Sequence, residues 1–110
     1  MLYTNVRNGI LFISIEDEIT ENTISNLTKE IDFLLYNQGI SLYAFNFNYL
    51  KNFSTQFLNN FQNKLTEIFL KCGSVVIYGI DKVYEGIFGK RKDNLFYAEK
   101  VEDVYNLLSL

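Results

Sequence analysis

Residues Ser41–Leu70 read SLYAFNFNYLKNFSTQFLNNFQNKLTEIFL, a strand pattern followed by a helix pattern around which the other elements fall into place. Leu42 to Phe47 is a mostly apolar run, the pattern of a buried strand. Asn48, Lys51 and Asn52 make the connector that follows polar. Ser54 and Thr55 then open a long amphipathic helix. Its apolar stripe is Phe57, Leu58, Phe61, Leu65, Ile68 and Phe69, at spacings of three and four. The hydroxyl pair at the strand-to-helix junction has two readings. A Ser or Thr oxygen can accept from the unpaired amides of the first turn and cap the helix. Those same amides and the helix dipole also favour an anion, which makes the pair a candidate phosphorylation site.

On the N-terminal side, Leu2 to Thr4 reads as a short edge strand. Asn8-Gly9 is a hairpin turn, because both residues tolerate positive φ. Ile10 to Ile15, ILFISI, is β-branched and aromatic and reads as a strand. An acidic connector, Glu16-Asp17-Glu18, leads through Ile19 and Thr20 to a helix capped by Asn22 or Thr23. The helix stripe is Ile24, Leu27, Ile31, Leu34 and Leu35, and Gly39 suits its left-handed stop.

Beyond the central stretch, Lys71-Cys72-Gly73 ends the long helix. Ser74 to Tyr78, SVVIY, is a continuous apolar strand of the kind found when both sheet faces are covered. Asp81 can cap a short helix carrying Val83, Tyr84, Ile87 and Phe88. Lys90 to Asn94 is a loop, Leu95 to Tyr97 a short strand, and Lys100 to Leu108 a last helix burying Val101, Val104, Tyr105 and Leu108. The order is β-β-α-β-α-β-α-β-α, which implies a mainly parallel α/β sheet. No repeat or linker interrupts it, so residues 1–110 are expected to form a single domain.

Composition narrows the function. The 110 residues are 48% hydrophobic and 16% aromatic, enough for a real core. The net charge of −3 argues against nucleic acid, which needs a basic face. With no His and one Cys, the usual general base, a zinc cluster and an intrachain disulfide are all lacking. No cofactor and no enzymatic site are expected, and the lone Cys72 is expected to be a small, partly buried structural side chain. The reading is of a cytoplasmic protein, with no secretion signal in MLYTNVRNG and no apolar run long enough to insert in a membrane.

With its elements placed, the chain resembles the STAS family, the anti-sigma factor antagonist domain, from Gly9 to Leu108. Glu16-Asp17-Glu18-Ile19-Thr20 follows a strand where the family has Gly-Glu-Leu-Asp; Glu18 keeps the Glu, while Asp17, Ile19 and Thr20 replace the others. Thr23 and Leu27 match the usual Thr and Leu of the first helix. Phe45-Asn46-Phe47 sits where the family has a strand like Leu-Asp-Leu. Tyr97 and the final helix match the family ending. The family's switch motif, Asp-Ser-Ser-Gly, reads here Ser54-Thr55-Gln56-Phe57. Thr55 falls on the phosphorylated position, whereas Ser54, Gln56 and Phe57 depart from the Asp, the second Ser and the Gly.

The resemblance implies a bacterial signalling protein that regulates transcription by binding a partner protein, either an anti-sigma factor kinase or a signalling sensor. Phosphorylation at Thr55, or at Ser54, would switch binding. The implied binding face comprises Glu16, Asp17, Glu18, Thr20, Tyr49, Lys51, Asn52, Phe53, Gln56 and Leu58, with Tyr49 and Phe53 as aromatic anchors. The alternative is a constitutive docking or scaffold module without phosphorylation, favoured by the missing Asp and Gly. A third reading is a small-ligand or nucleotide binder at the strand ends, against which stands the lack of a Gly-rich loop. Oligomeric state is not legible.

Overall fold

Strand-forming and helix-forming runs alternate, and the computed structural model assembles them into one sheet. It describes residues 2–15, 21–48, 55–80 and 94–108. The strands are β1 (Leu2–Arg7), β2 (Ile10–Ile15), β3 (Leu42–Asn46), β4 (Ser74–Tyr78) and β5 (Leu95–Ala98). The helices are α1 (Glu21–Asp32), α2 (Thr55–Leu70) and α3 (Glu102–Leu107). The sheet order is β1-β2-β3-β4-β5. β1 is antiparallel to β2, and every other pair is parallel. This is the α/β, mainly parallel architecture expected. The short helix expected after Asp81, through Phe88, and the basic loop Lys90-Arg91-Lys92 lie outside the described residues.

Period-two alternation divides the sheet into two apolar faces. Leu11, Ile13 and Ile15 of β2, Tyr43 and Phe45 of β3, Val75 and Ile77 of β4, and Leu95 and Tyr97 of β5 point to one face. There they meet the α1 stripe (Ile24, Leu27, Ile31) and the α2 stripe (Phe57, Phe61, Leu65, Ile68). The opposite face, with Ile10, Phe12, Ala44, Val76 and Tyr78, packs on Val104 and Leu108 at α3. Apolar residues on both faces explain the unbroken apolar runs in β3 and β4.

Phe61 is the hub of the larger core. Its ring lies 4.8 Å from Phe45 edge-on, 5.4 Å from Phe47 and 5.6 Å from Phe57. Such edge-on pairs add to plain area burial because positive ring edges meet negative faces. Tyr43 is fully buried beside them. Its hydroxyl donates to the Ile40 carbonyl at 2.8 Å, and burial pushes its pKa up to about 12. Lys64 ties the two helices together. Its ammonium reaches Asp32 at the end of α1 at 2.6 Å and Glu67 on its own helix at 2.8 Å. Burial alone would lower the Lys64 pKa, but the two carboxylates outweigh it and raise the value.

Several details differ from the sequence reading. α1 begins at Glu21, so Asn22 and Thr23 lie inside the helix rather than at its cap. Val101 and Tyr105 are half-buried rather than buried. β1 extends to Arg7 rather than stopping at Thr4, because the Asn8-Gly9 turn (φ +53° and +78°) pairs the strand with β2 without a break. The first helix widens into a π-helical turn over Phe33–Asn37. That turn holds the adjacent Leu34 and Leu35 both in the core, while Phe33 and Tyr36 stay half exposed. Cys72 is exposed, not partly buried. It takes the left-handed conformation (φ +60°) that a glycine usually fills at a helix stop. The Cys72 amide donates to the Phe69 carbonyl at 3.0 Å, and the Gly73 amide to the Ile68 carbonyl at 2.8 Å. This is the paired bonding of a Schellman stop, with cysteine at the left-handed position.

Gly73 is needed for space instead. A Cβ there would stand 2.5 Å from Ile68 Cγ2 and 2.8 Å from the Ser41 carbonyl oxygen. The two neighbours should therefore respond oppositely to substitution. Cys72→Gly should raise stability by roughly 0.5–1 kcal/mol by relieving the left-handed conformation. Gly73→Ala should lower it by about 1–3 kcal/mol through overpacking. Urea unfolding of the two variants measures both.

Candidate protein-interaction site at the start of helix α2

The parallel pairing of β2, β3 and β4 brings their C-terminal ends to one pole of the sheet. Ser14 stands beside Asn46, and Asn46 beside Tyr78. Because α2 links parallel strands β3 and β4, it must begin at this same pole and run back along the sheet. Thr55 is its first residue and is exposed, as is Gln56. Leu58 is half-buried and packs against the core. Phe57, which stands where the resembled switch motif has glycine, is 1% exposed and sits among the core aromatics. The helix therefore begins with an anchor in the core, and Thr55 is held on the outer side.

The electrostatics of this first turn are open-handed. It carries no acidic residue, so the partial positive charge at the helix start is uncompensated within the turn. An anion on Thr55 would meet that charge at the helix start. Ser54, Glu16, Asp17, Glu18, Thr20, Tyr49, Lys51, Asn52 and Phe53 lie outside the described residues. The structure thus locates three of the expected site residues, Thr55, Gln56 and Leu58, on the first turn of α2.

A polar network at the same pole escaped the sequence reading. Asn46 donates from Nδ2 to Ser14 Oγ at 3.2 Å. Its Oδ1 accepts from the Asn48 amide at 3.0 Å. Gly79 (φ +78°) leaves room beside it, since any Cβ there would run into the Asn48 carboxamide. The two hydrogen bonds tie the end of β2 to the end of β3, and Gly79, just past β4, lies against Asn48. The signal in the sequence was the pair of small polar residues, Ser14 and Asn46, near the ends of two otherwise apolar strands. Among the described residues, no group of three His, Cys, Asp or Glu side chains could hold a metal ion. None of the described helices is long and apolar enough to cross a membrane.

The described strands and helices have a STAS-type α/β fold, that of the anti-sigma factor antagonist SpoIIAA. The chain superposes on SpoIIAA, an anti-sigma factor antagonist, in its unphosphorylated form with a TM-score of 0.80 at 11% identity, covering 99% of this chain and 98% of that one. It matches a serine-to-glutamate variant of RsbS from Moorella thermoacetica at 0.78 and 11% identity, over 99% and 98% of the two chains. It matches the phosphorylated form of SpoIIAA, a Bacillus cell-fate determinant, at 0.75 and 12% identity, over 97% and 99%. At such identities the likeness is one of fold. No family model and no curated protein matches the sequence.

The open first turn makes a direct prediction. Thr55→Glu should leave the fold intact and stabilise it by roughly 0.3–1 kcal/mol through the helix dipole. The gain should disappear in about 1 M salt, where the screening length falls to about 3 Å. Thermal unfolding at low and high salt measures both.

Proposed function

We propose that this protein is a non-enzymatic cytoplasmic regulator that works by binding another protein at the pole where α2 begins. In this reading it acts as an anti-sigma factor antagonist does, with Thr55 as the phosphorylated switch. The partner is an anti-sigma factor kinase or a signalling sensor. The observation that carries the reading is the exposed Thr55 at the first residue of α2, in a fold that superposes end to end on an antagonist known in both phosphorylated and unphosphorylated forms.

The chemistry is compatible with a switch. A phosphate on Thr55 would add nearly two negative charges. The helix start tolerates them, so the fold survives while the surface offered to a partner changes sign. An acidic partner surface would be repelled, and the effect would weaken as salt rises. Residues 16–20 and 49–54, which carry the expected acidic and aromatic contacts, complete the binding face in this proposal.

One observation favours a second reading. Phe57 is buried where the switch motif has a glycine, so the helix start offers no small spot for close approach by a kinase. On that reading the domain docks constitutively and Thr55 is a first-turn residue of α2 without modification.

Affinity purification of tagged protein from the native host separates the two. Phosphorylation of Thr55 is read by mass spectrometry in the same sample. The switch reading expects a partner with wild type and with Thr55→Ala, its loss with Thr55→Glu, and phosphate on Thr55. Equal recovery by all three, with Thr55 always unmodified, supports constitutive docking. Recovery of no partner by any of them overturns both.

A further inference from the structure

Among the described residues, β1 has a neighbour on one side only within the sheet. Residues 3–7 are all exposed, including Tyr3 and Val6, each at 49%. Edge strands in soluble proteins are usually blunted by lysine, proline, a bulge or an inward charge. β1 has none of these. Its sequence is LYTNVR, with Arg7 at the far end as the only charge, and its register with β2 runs unbroken from Leu2–Ile15 to Arg7–Ile10.

The hairpin geometry says which backbone groups are free. A two-residue turn with positive φ at both Asn8 and Gly9 closes on a hydrogen-bonded pair, Arg7 with Ile10. Bonded and non-bonded pairs then alternate along an antiparallel ladder. Arg7, Asn5 and Tyr3 direct their backbone groups to β2. Val6, Thr4 and Leu2 direct theirs outward.

We infer that this outer edge pairs with the same strand of a second copy, antiparallel, about a two-fold axis at Thr4. In that register Leu2 pairs with Val6 and Thr4 with Thr4 of the other copy, so all three outward residues exchange both backbone bonds. A shift to an axis at Asn5 would leave only the Thr4–Val6 pairs bonded within the strand.

The side chains agree with the register. Thr4 opposite Thr4 and Tyr3 opposite Asn5 are cross-strand neighbours on the same face, and each Tyr3–Asn5 pair occurs twice. The two Arg7 side chains fall at opposite ends of the joined strands, about 20 Å apart at the rise of an extended strand. Their repulsion is screened at that distance. A partner strand with its own basic end at the Arg7 end would lack this separation. The contact is isologous and closes at a dimer. The interface lies along β1 and leaves the first turn of α2 in each copy unpaired by it, so it is independent of the switch.

Sedimentation velocity over a wide concentration range, combined with amide exchange, tests this. The expected result is a monomer–dimer equilibrium in which the Thr4 and Val6 amides exchange about tenfold more slowly as dimer forms. The Asn5 and Arg7 amides should be protected at every concentration. Thr4→Pro removes an amide that β2 does not use, so the hairpin should survive while dimer is lost. Val6→Lys, a charge on the edge, should also abolish dimer and keeps every backbone donor. A protein that stays monomeric at the highest concentration, assembly beyond a dimer, or a dimer unaffected by Val6→Lys would overturn the inference. So would a monomer that captures a foreign strand peptide on β1.

Discussion

The packing of the Phe61 ring against Phe45, Phe47 and Phe57 is the contact on which the rest of the structure depends. It is the point where α2 meets the middle strand of the sheet. Truncating such a ring to alanine costs about 3–5 kcal/mol in comparable cores, a large share of the roughly 5–15 kcal/mol that keeps a domain folded. Because Phe57 belongs to the same cluster, core packing fixes the first turn of α2. Thr55, two residues earlier, is placed by that packing while remaining exposed. The Lys64 bridge to Asp32 adds a polar tie between the helices on the outer side of this core.

Much of the architecture was legible because each element announced its own period. The spacing of Ile24, Leu27 and Ile31 and of Phe57, Phe61, Leu65 and Ile68 marked the two helices, and every one of these side chains is buried. The bounds of Ile10–Ile15 and Ser74–Tyr78 were readable because apolar β-branched residues fill them. What was not legible depends on tertiary contact. Nothing local distinguishes Cys72 from Gly73 as the left-handed residue. The choice is made by Ile68 and Ser41, which leave no room for a Cβ at Gly73. The π turn at Phe33–Asn37 likewise answers to the core's demand for both Leu34 and Leu35.

The candidate site divides the same way. Thr55 stood out as a candidate from a hydroxyl pair ahead of an apolar stripe, and in the structure it is an exposed first residue of α2. The role of Phe57 could not. Against the switch motif it looks like the loss of a glycine; in the folded chain it is a core ring with 1% exposure. The departure therefore has a structural cause, whatever its consequence for a partner. The Ser14–Asn46–Asn48 network showed in the sequence only as two small polar residues on apolar strands, because it needs the parallel register that sets Ser14 beside Asn46.

If the aromatic core fixes the start of α2, charge at Thr55 alters the surface and not the fold. Backbone and aromatic NMR shifts of the protein and its Thr55→Glu variant test it most directly. Changes should be confined to Thr55–Leu58 and the strand ends at Ser14, Asn46 and Asn48, with the ring signals of Phe45 and Phe61 unmoved. Shifts that spread through Phe45, Phe61, Leu65 and Val75 would contradict it, because the core would then be yielding to the charge at its edge.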